Sequence, residues 1–146
     1  MRSFKHTPQD QEISLLKEIK RELSISSSAE VVEQVATVLQ TVRQTLTLQN
    51  ATDMLNRLPD FMKIIFVLNW KQDERPVKID HLDELVSLVM KRDSKRSKSL
   101  FKNEIQTLSV VLLTLKKLFK IVDLDNFEGL SAAFKYELKL AQRQAA

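Results

Sequence analysis

Val31-Val32-Glu33-Gln34-Val35-Ala36-Thr37-Val38-Leu39-Gln40-Thr41-Val42-Arg43-Gln44-Thr45-Leu46 is the stretch from which the rest of the chain is read. Val31, Val35, Val38, Leu39, Val42 and Leu46 recur at intervals of three and four, which places them on one face of a helix and makes that face the buried one. Ser27, with Glu30 three residues later, forms a capping box at its start. Thr45-Leu46-Thr47-Leu48 alternates as a strand would, but it continues the helical stripe and is read as the helix end.

Downstream, Asn50 is expected to cap a short helix, helped by Asp53. Leu58-Pro59-Asp60 breaks and restarts it, with Pro59 at the new first position and Phe61, Ile64, Ile65 and Leu68 facing inward. Trp70 closes this unit and is expected to be a buried plug. The charged run Lys71-Gln72-Asp73-Glu74-Arg75-Pro76 opens a linker over residues 71–79. Asp80 should cap the next helix, which carries Leu82, Leu85, Leu88 and Val89. The run Lys91 to Ser99 reads as a loop or frayed helix end, and Lys91 to Lys98 is expected to be mobile and dispensable for folding. A long helix from about Ser99 to about Ile121 follows, with Ile105, Leu108, Val111, Leu112, Leu115 and Phe119 inward. Asp123 or Asp125 should cap the last helix, carrying Phe127, Leu130, Phe134, Leu138 and Leu140. Upstream, a first helix is expected from Thr7, with Pro8 and Asp10 suited to its first turn and Ile13, Leu16, Ile19 and Leu23 on one face. The run Ser24-Ile25-Ser26-Ser27-Ser28 ends it.

Composition agrees with an all-α fold: a single helical domain over residues 1–146, a bundle of about six helices. The only glycine is Gly129, so hairpins and phosphate loops, which rely on positive φ, have little to work with. The chain has no cysteine, which removes disulfides, thiolate metal sites and a cysteine nucleophile and fits a reducing compartment. No apolar run follows Met1-Arg2-Ser3-Phe4-Lys5-His6, and the stretches Met62 to Leu68 and Leu108 to Leu115 are too short to span a bilayer. The expected setting is the cytoplasm, without membrane insertion.

The two halves of the chain align. Val38-Leu39-Gln40-Thr41 matches Val111-Leu112-Leu113-Thr114, and one residue shorter further on Asp53 matches Asp125, Leu58 matches Leu130 and Lys63 matches Lys135. Pro59 interrupts one copy; Gly129 with Ser131 interrupts the other. This order of stripes and breaks predicts two related three-helix units, about 8–70 and about 80–141, each burying its apolar face against the other. Residues Ser27 to Leu68 should then superpose on Ser99 to Leu140 about a pseudo-two-fold axis.

The sequence from Val35 to Leu46, Asn50-Ala51-Thr52-Asp53-Met54-Leu55, Leu58-Pro59 and Phe61 to Trp70 resembles a bacterial family of helical proteins, the domain of unknown function 2267. The resemblance covers about Ile13 to Leu140 and implies a second, related copy of the unit. Members often carry glycine before the tryptophan, where this chain has Asn69; the second copy here has Leu130-Ser131 in place of Leu-Pro. The resemblance implies a fold and no activity.

Catalytic chemistry is not expected, nor a cofactor or metal. His81 lies beside Asp80, Asp83 and Glu84, but no second histidine has ligand spacing, and acids suit a helix N-terminus in their own right. Ser24 to Ser28 have capping roles to fill and no neighbouring histidine. Glu18, Glu22, Glu30 and Glu33 lack the Glu-x-x-His pattern of di-iron bundles. The net charge is +4, and it is local: Lys91, Arg92, Lys95, Arg96, Lys98 and Lys102 are opposed only by Asp93. Two readings follow. One is a non-catalytic protein-interaction or scaffold domain, with Phe4, Trp70, the C-terminal Ala-rich end and this basic segment as contact points. The other is a nucleic-acid-binding module using residues 91–102, whose charges would oppose the dipole of the following helix until phosphate relieved them. Homo-oligomerisation stays open on either reading.

Overall fold

A computed structural model of the chain describes residues 17–18, 20–21, 28–71, 74–123, 127 and 130–145. Among the described residues there are six bounded helices and no strand: α1 (Ser28–Thr45), α2 (Leu48–Arg57), α3 (Asp60–Val67), α4 (Leu82–Ser94), α5 (Glu104–Phe119) and α6 (Ala132–Ala145). Residues 17, 18, 20 and 21 are also helical. The cap at Ser27, most of the first helix with Ile13, Leu16, Ile19 and Leu23, and the break at Gly129 lie outside the described residues.

The helix α1 is the centre. Val31, Val35, Val38, Leu39 and Val42 are buried, as the stripe requires, and α1 touches α3, α4 and α5. Each such side chain contributes about 1.5–3 kcal/mol on leaving water. Contact on three sides also buries polar groups. Gln34 and Thr41 are fully buried; Gln34 Nε2 donates to the Leu100 carbonyl at 2.9 Å, and Thr41 Oγ1 donates to the Thr37 carbonyl at 2.7 Å. α1 ends at Thr45, and Thr47, not Asn50, caps α2: its hydroxyl accepts the Asn50 N–H at 3.2 Å.

Pro59 breaks the chain completely. Leu58 and Pro59 are both extended, as a residue before proline and a proline favour, and Pro59 is the N-cap of α3 instead of its first helical residue. The restart resets the helical phase. Leu58, Met62 and Phe66, four apart, point inward, and Phe61 and Ile65 are half-buried. Ile64 and Leu68, expected inside, are 68% and 55% exposed. Asn69 then takes φ 59°, the left-handed residue that ends the helix. This is the position where glycine would be unstrained, and asparagine is among the few other residues that tolerate it.

The chain then crosses to α4. The Val77 N–H bonds the Gln44 carbonyl at 2.9 Å and Ile79 is buried, so the second part of the 71–79 linker is fastened along α1. His81, not Asp80, is the N-cap of α4, and Glu84 Oε1 accepts the N–H groups of both Asp80 and His81 at 2.9 and 3.0 Å.

Helix α5 begins at Glu104, not Ser99. Asn103 caps it by accepting the Gln106 N–H at 2.8 Å, while Gln106 Oε1 accepts the Lys102 N–H at 2.7 Å. Its buried stripe is Thr107, Val110, Val111, Thr114, Leu115 and Leu118; Leu108, Leu112 and Phe119 flank it half-buried, and Ile105, expected inside, is 77% exposed. The last helix starts at Ala132. Ser131, not Asp123, caps it, with its hydroxyl accepting the Phe134 N–H at 3.0 Å and donating to the Asp80 carbonyl at 2.8 Å. Asp125 is outside the described residues. Phe134 and Leu138 face the core, whereas Leu140, expected inside, is 40% exposed.

Candidate partner-binding surfaces

The basic segment is divided by the fold. Lys91 and Arg92 belong to the last turn of α4, where cations suit the negative end of the helix dipole. With α5 starting only at Glu104, the charges of residues 91–98 sit at a helix C-terminus, and the dipole argument for phosphate there falls. Arg92 turns inward, where Nη2 donates to Gln44 Oε1 at 2.8 Å. Arg96 pairs with Glu33 at 3.2 Å on the surface. Lys91, Lys95, Lys98 and Lys102 are exposed and, among the described residues, have no ion-pair partner.

The turn beneath these lysines is anchored. Asp93 is only 4% exposed; its carboxylate accepts the Leu100 and Phe101 N–H groups at 2.9 and 3.2 Å. Phe101 is buried, and Gln34 holds the Leu100 carbonyl from the other side. The lone acid of the segment, which the sequence offers as a counter-charge, is therefore its structural bolt. Asp93 also compensates the donors that a loose loop would leave to water.

A second surface is the outer side of α3. Its inner side supplies Met62 and Phe66 to the core, yet Ile64, Val67 and, just beyond the helix, Leu68 are exposed. Asp60 and Lys63 share this side, so the exposed surface of α3 mixes apolar and charged groups.

A third feature lies where α1, α3 and α4 end. Trp70 is partly buried and packs against the edge of the core: its ring meets Phe66 edge to face, with centroids 6.1 Å apart and planes at 73°, and the Arg43 guanidinium lies 6.0 Å from its centroid. Arg43 is 7% exposed, and its Nη1 donates to the Phe66 and Leu68 carbonyls, closing the end of α3. Burial, and next the nearby charge of Arg92, pull the Arg43 pKa below its ordinary value, with Glu74 opposing; burial likewise lowers that of Arg92. The Arg92 Nε is buried without a hydrogen-bond partner. A small hollow of about 30 Å³ opens here among Arg43, Trp70, Lys71, Glu74, Arg75 and Arg92. Neither arginine stood out in the sequence as an inward group; Arg43 follows a stripe residue and Arg92 is one cation in a run.

His81 is brought to a partner from far along the chain. Its Nδ1 lies 3.2 Å from the Glu137 carboxylate, which also accepts the Leu82 N–H at 3.0 Å. The hydrogen bond to Glu137, and next its charge, raise the His81 pKa; the Leu82 N–H, and with a smaller effect His81, lower that of Glu137. Among the described residues no group of three or more His, Asp or Glu side chains could hold a metal ion, and no helix is long and apolar enough to cross a membrane. Phe4, Ser24 to Ser27 and the side chains of the Ala-rich C-terminal end lie outside the described residues.

These features define a class: an all-helical domain wrapped round one buried helix, with surface features more developed than any polar constellation. Within that class the chain belongs to the family described as uncharacterized conserved protein (DUF2267), whose pattern it matches over residues 13–132. No curated protein matches it.

Proposed function

We propose that the chain is a non-catalytic protein-interaction or scaffold domain that binds a partner protein through the outer side of α3. The observation that carries this reading is the exposure of Ile64, Val67 and Leu68 on the helix that buries Met62 and Phe66. Leaving large apolar side chains in water forgoes about 1.5–3 kcal/mol each, which a covering partner recovers. Lys91, Lys95, Lys98 and Lys102 add an electrostatic contact that steers an acidic partner. The nucleic-acid reading has less support, because Arg92 and Arg96 of its six cations are engaged within the fold. The test is the double substitution Ile64→Lys with Leu68→Lys, which leaves thermal stability nearly unchanged because both positions are exposed. Proteins cross-linked to the native chain in its own cell extract should be lost with this variant and retained with Lys95→Gln/Lys98→Gln at raised salt. An identical set with both variants refutes the α3 surface. Self-association of the native chain in sedimentation, abolished by the double substitution, makes the partner a second copy.

We also infer that the chain is a duplicated unit from a bacterial cytoplasm, the setting suggested by its cysteine-free composition and resemblance. What supports the duplication is a shared order of structural detail. α3 and α6 each start one residue after an interruption, at Pro59 or Ser131, and two residues after a buried leucine, Leu58 or Leu130. Met62 with Phe134, Phe66 with Leu138, Thr41 with Thr114 and Gln34 with Thr107 are buried pairs in the same register. Gln44 accepts from Arg92 of α4, and Lys117, its counterpart on α5, bonds Glu18 at 2.8 Å.

A further inference from the structure

We infer that the hollow at the ends of α1, α3 and α4 is a carboxylate-binding site, suited to an acidic side chain or a C-terminal carboxylate of a partner polypeptide. Its charged groups are mostly cations: Arg43, Arg92, Lys71 and Arg75 line it, and Glu74 is the one acid among the described lining residues. Two of these cations are withdrawn from water by the fold itself. Arg43 is held by the α3 carbonyls and stacked near Trp70, and Arg92 is held by Gln44. Neither has an ion-pair partner among the described residues. The cost of desolvating and orienting two guanidinium groups is therefore met on folding, before any ligand arrives, and the ordering that weakens most surface ion pairs is already done. The Arg92 Nε is buried without a partner, so the fold leaves part of this guanidinium's donor capacity unused.

Size and shape narrow the ligand. A volume of about 30 Å³ takes a carboxylate head or about one water, and excludes a nucleotide or a sugar phosphate. A planar guanidinium fork matches a planar carboxylate through paired N–H donors. Glu74 is exposed and reaches neither arginine closely enough to pair, so among the described residues no acid fills the site. Because Arg43 bonds the Leu68 carbonyl, the hollow begins where the exposed side of α3 ends; a peptide lying along Ile64 and Leu68 would deliver its carboxylate there. The identity of the carrier rests on the interaction-domain reading, and the carboxylate chemistry does not.

Trp70 is the only tryptophan, so its fluorescence reports on this hollow directly. The full chain is titrated at constant ionic strength with three short acetylated peptides: an alanine peptide with a free C-terminal carboxylate, an amidated peptide with one glutamate, and an amidated neutral control. A saturable change is expected with one or both carboxylate peptides and none with the control; which of the two saturates identifies the source of the group. Arg92→Gln should weaken that binding about tenfold or more, and Glu74→Gln should tighten it several-fold by removing a competing charge. The second variant keeps the test decisive if the first disturbs folding. Equal responses to all three peptides, or a response that follows ionic strength alone, overturn the site, as does saturation by inorganic phosphate with neither carboxylate peptide binding. Loss of partner on Ile64→Lys/Leu68→Lys with no carboxylate response anywhere would remove this site and leave the α3 surface standing.

Discussion

Single residues carry roles that their types do not announce. Asp93 is one acid among six cations in sequence, yet in the fold it accepts two backbone N–H groups and closes the turn between α4 and α5. Removing it leaves the buried Phe101 N–H and the half-buried Leu100 N–H without an acceptor. Asp93→Ala should therefore cost about 3 kcal/mol, read from denaturant unfolding. Neutralising Lys95, Arg96 and Lys98 together should change stability by less than about 1 kcal/mol, since only the exposed pair of Arg96 with Glu33 is lost. The contrast separates the anchored backbone of this segment from its exposed side chains; equal effects from the two changes would contradict it. Asn69 shows the same economy. It meets the left-handed requirement at the end of α3, and its amide side chain is what makes that backbone tolerable.

At the scale of elements, the pairing of α4 with α6 depends on pH. His81 at the start of α4 is held above its ordinary pKa chiefly by the hydrogen bond to Glu137 of α6. Its contribution is complete below the unfolded histidine value and is lost as pH rises through the raised folded one. Glu137 is held below its ordinary value, first by the Leu82 N–H. Its contribution is present above the unfolded carboxylate value and lost as pH falls through the lowered folded one. The contact is thus strongest from the normal carboxylate range up to the histidine range. Nuclear magnetic resonance titration should give His81 a midpoint above about 6.5, moving down in Glu137→Gln. A midpoint that ignores this substitution would mean the two side chains do not meet in solution. Both groups are at the surface, so the effect on overall stability is small.

For the whole molecule, the organising fact is that α1 lies against α3, α4 and α5. The proposed duplication gives this arrangement a counterpart: α5 takes the place of α1 in the second unit and α6 that of α3. Superposition should lay α1 and α3 on α5 and α6 by one pseudo-two-fold rotation, with Val38 on Val111, Leu39 on Leu112, Val42 on Leu115 and Leu58 on Leu130. The first, third and fourth of these pairs are buried in both copies; Leu112 is half-buried where Leu39 is fully covered. A rotation that matches the long helices but leaves α3 and α6 on different sides would refute the duplication.

The sequence by itself determined the helical class, the central helix and the break at Pro59. Each follows from local rules: a long stripe averages out errors of phase, and proline stops a helix anywhere beyond its first turn. It also carried the family, through the pattern from Val35 to Trp70. Only the tertiary structure decided which side of α3 is covered, where α5 begins, and which cations face inward. α3 spans eight residues with only Asp60 and Lys63 polar, so periodicity marks its outer side weakly and leaves Ile64 and Val67 unassigned. α5 starts late because Asn103 caps it, while Asp93 and Gln34 hold Leu100 and Phe101 in the turn before it. Arg43 and Arg92 meet because the ends of α1 and α4 converge, 49 positions apart in the chain, and no local pattern records a distance of that kind.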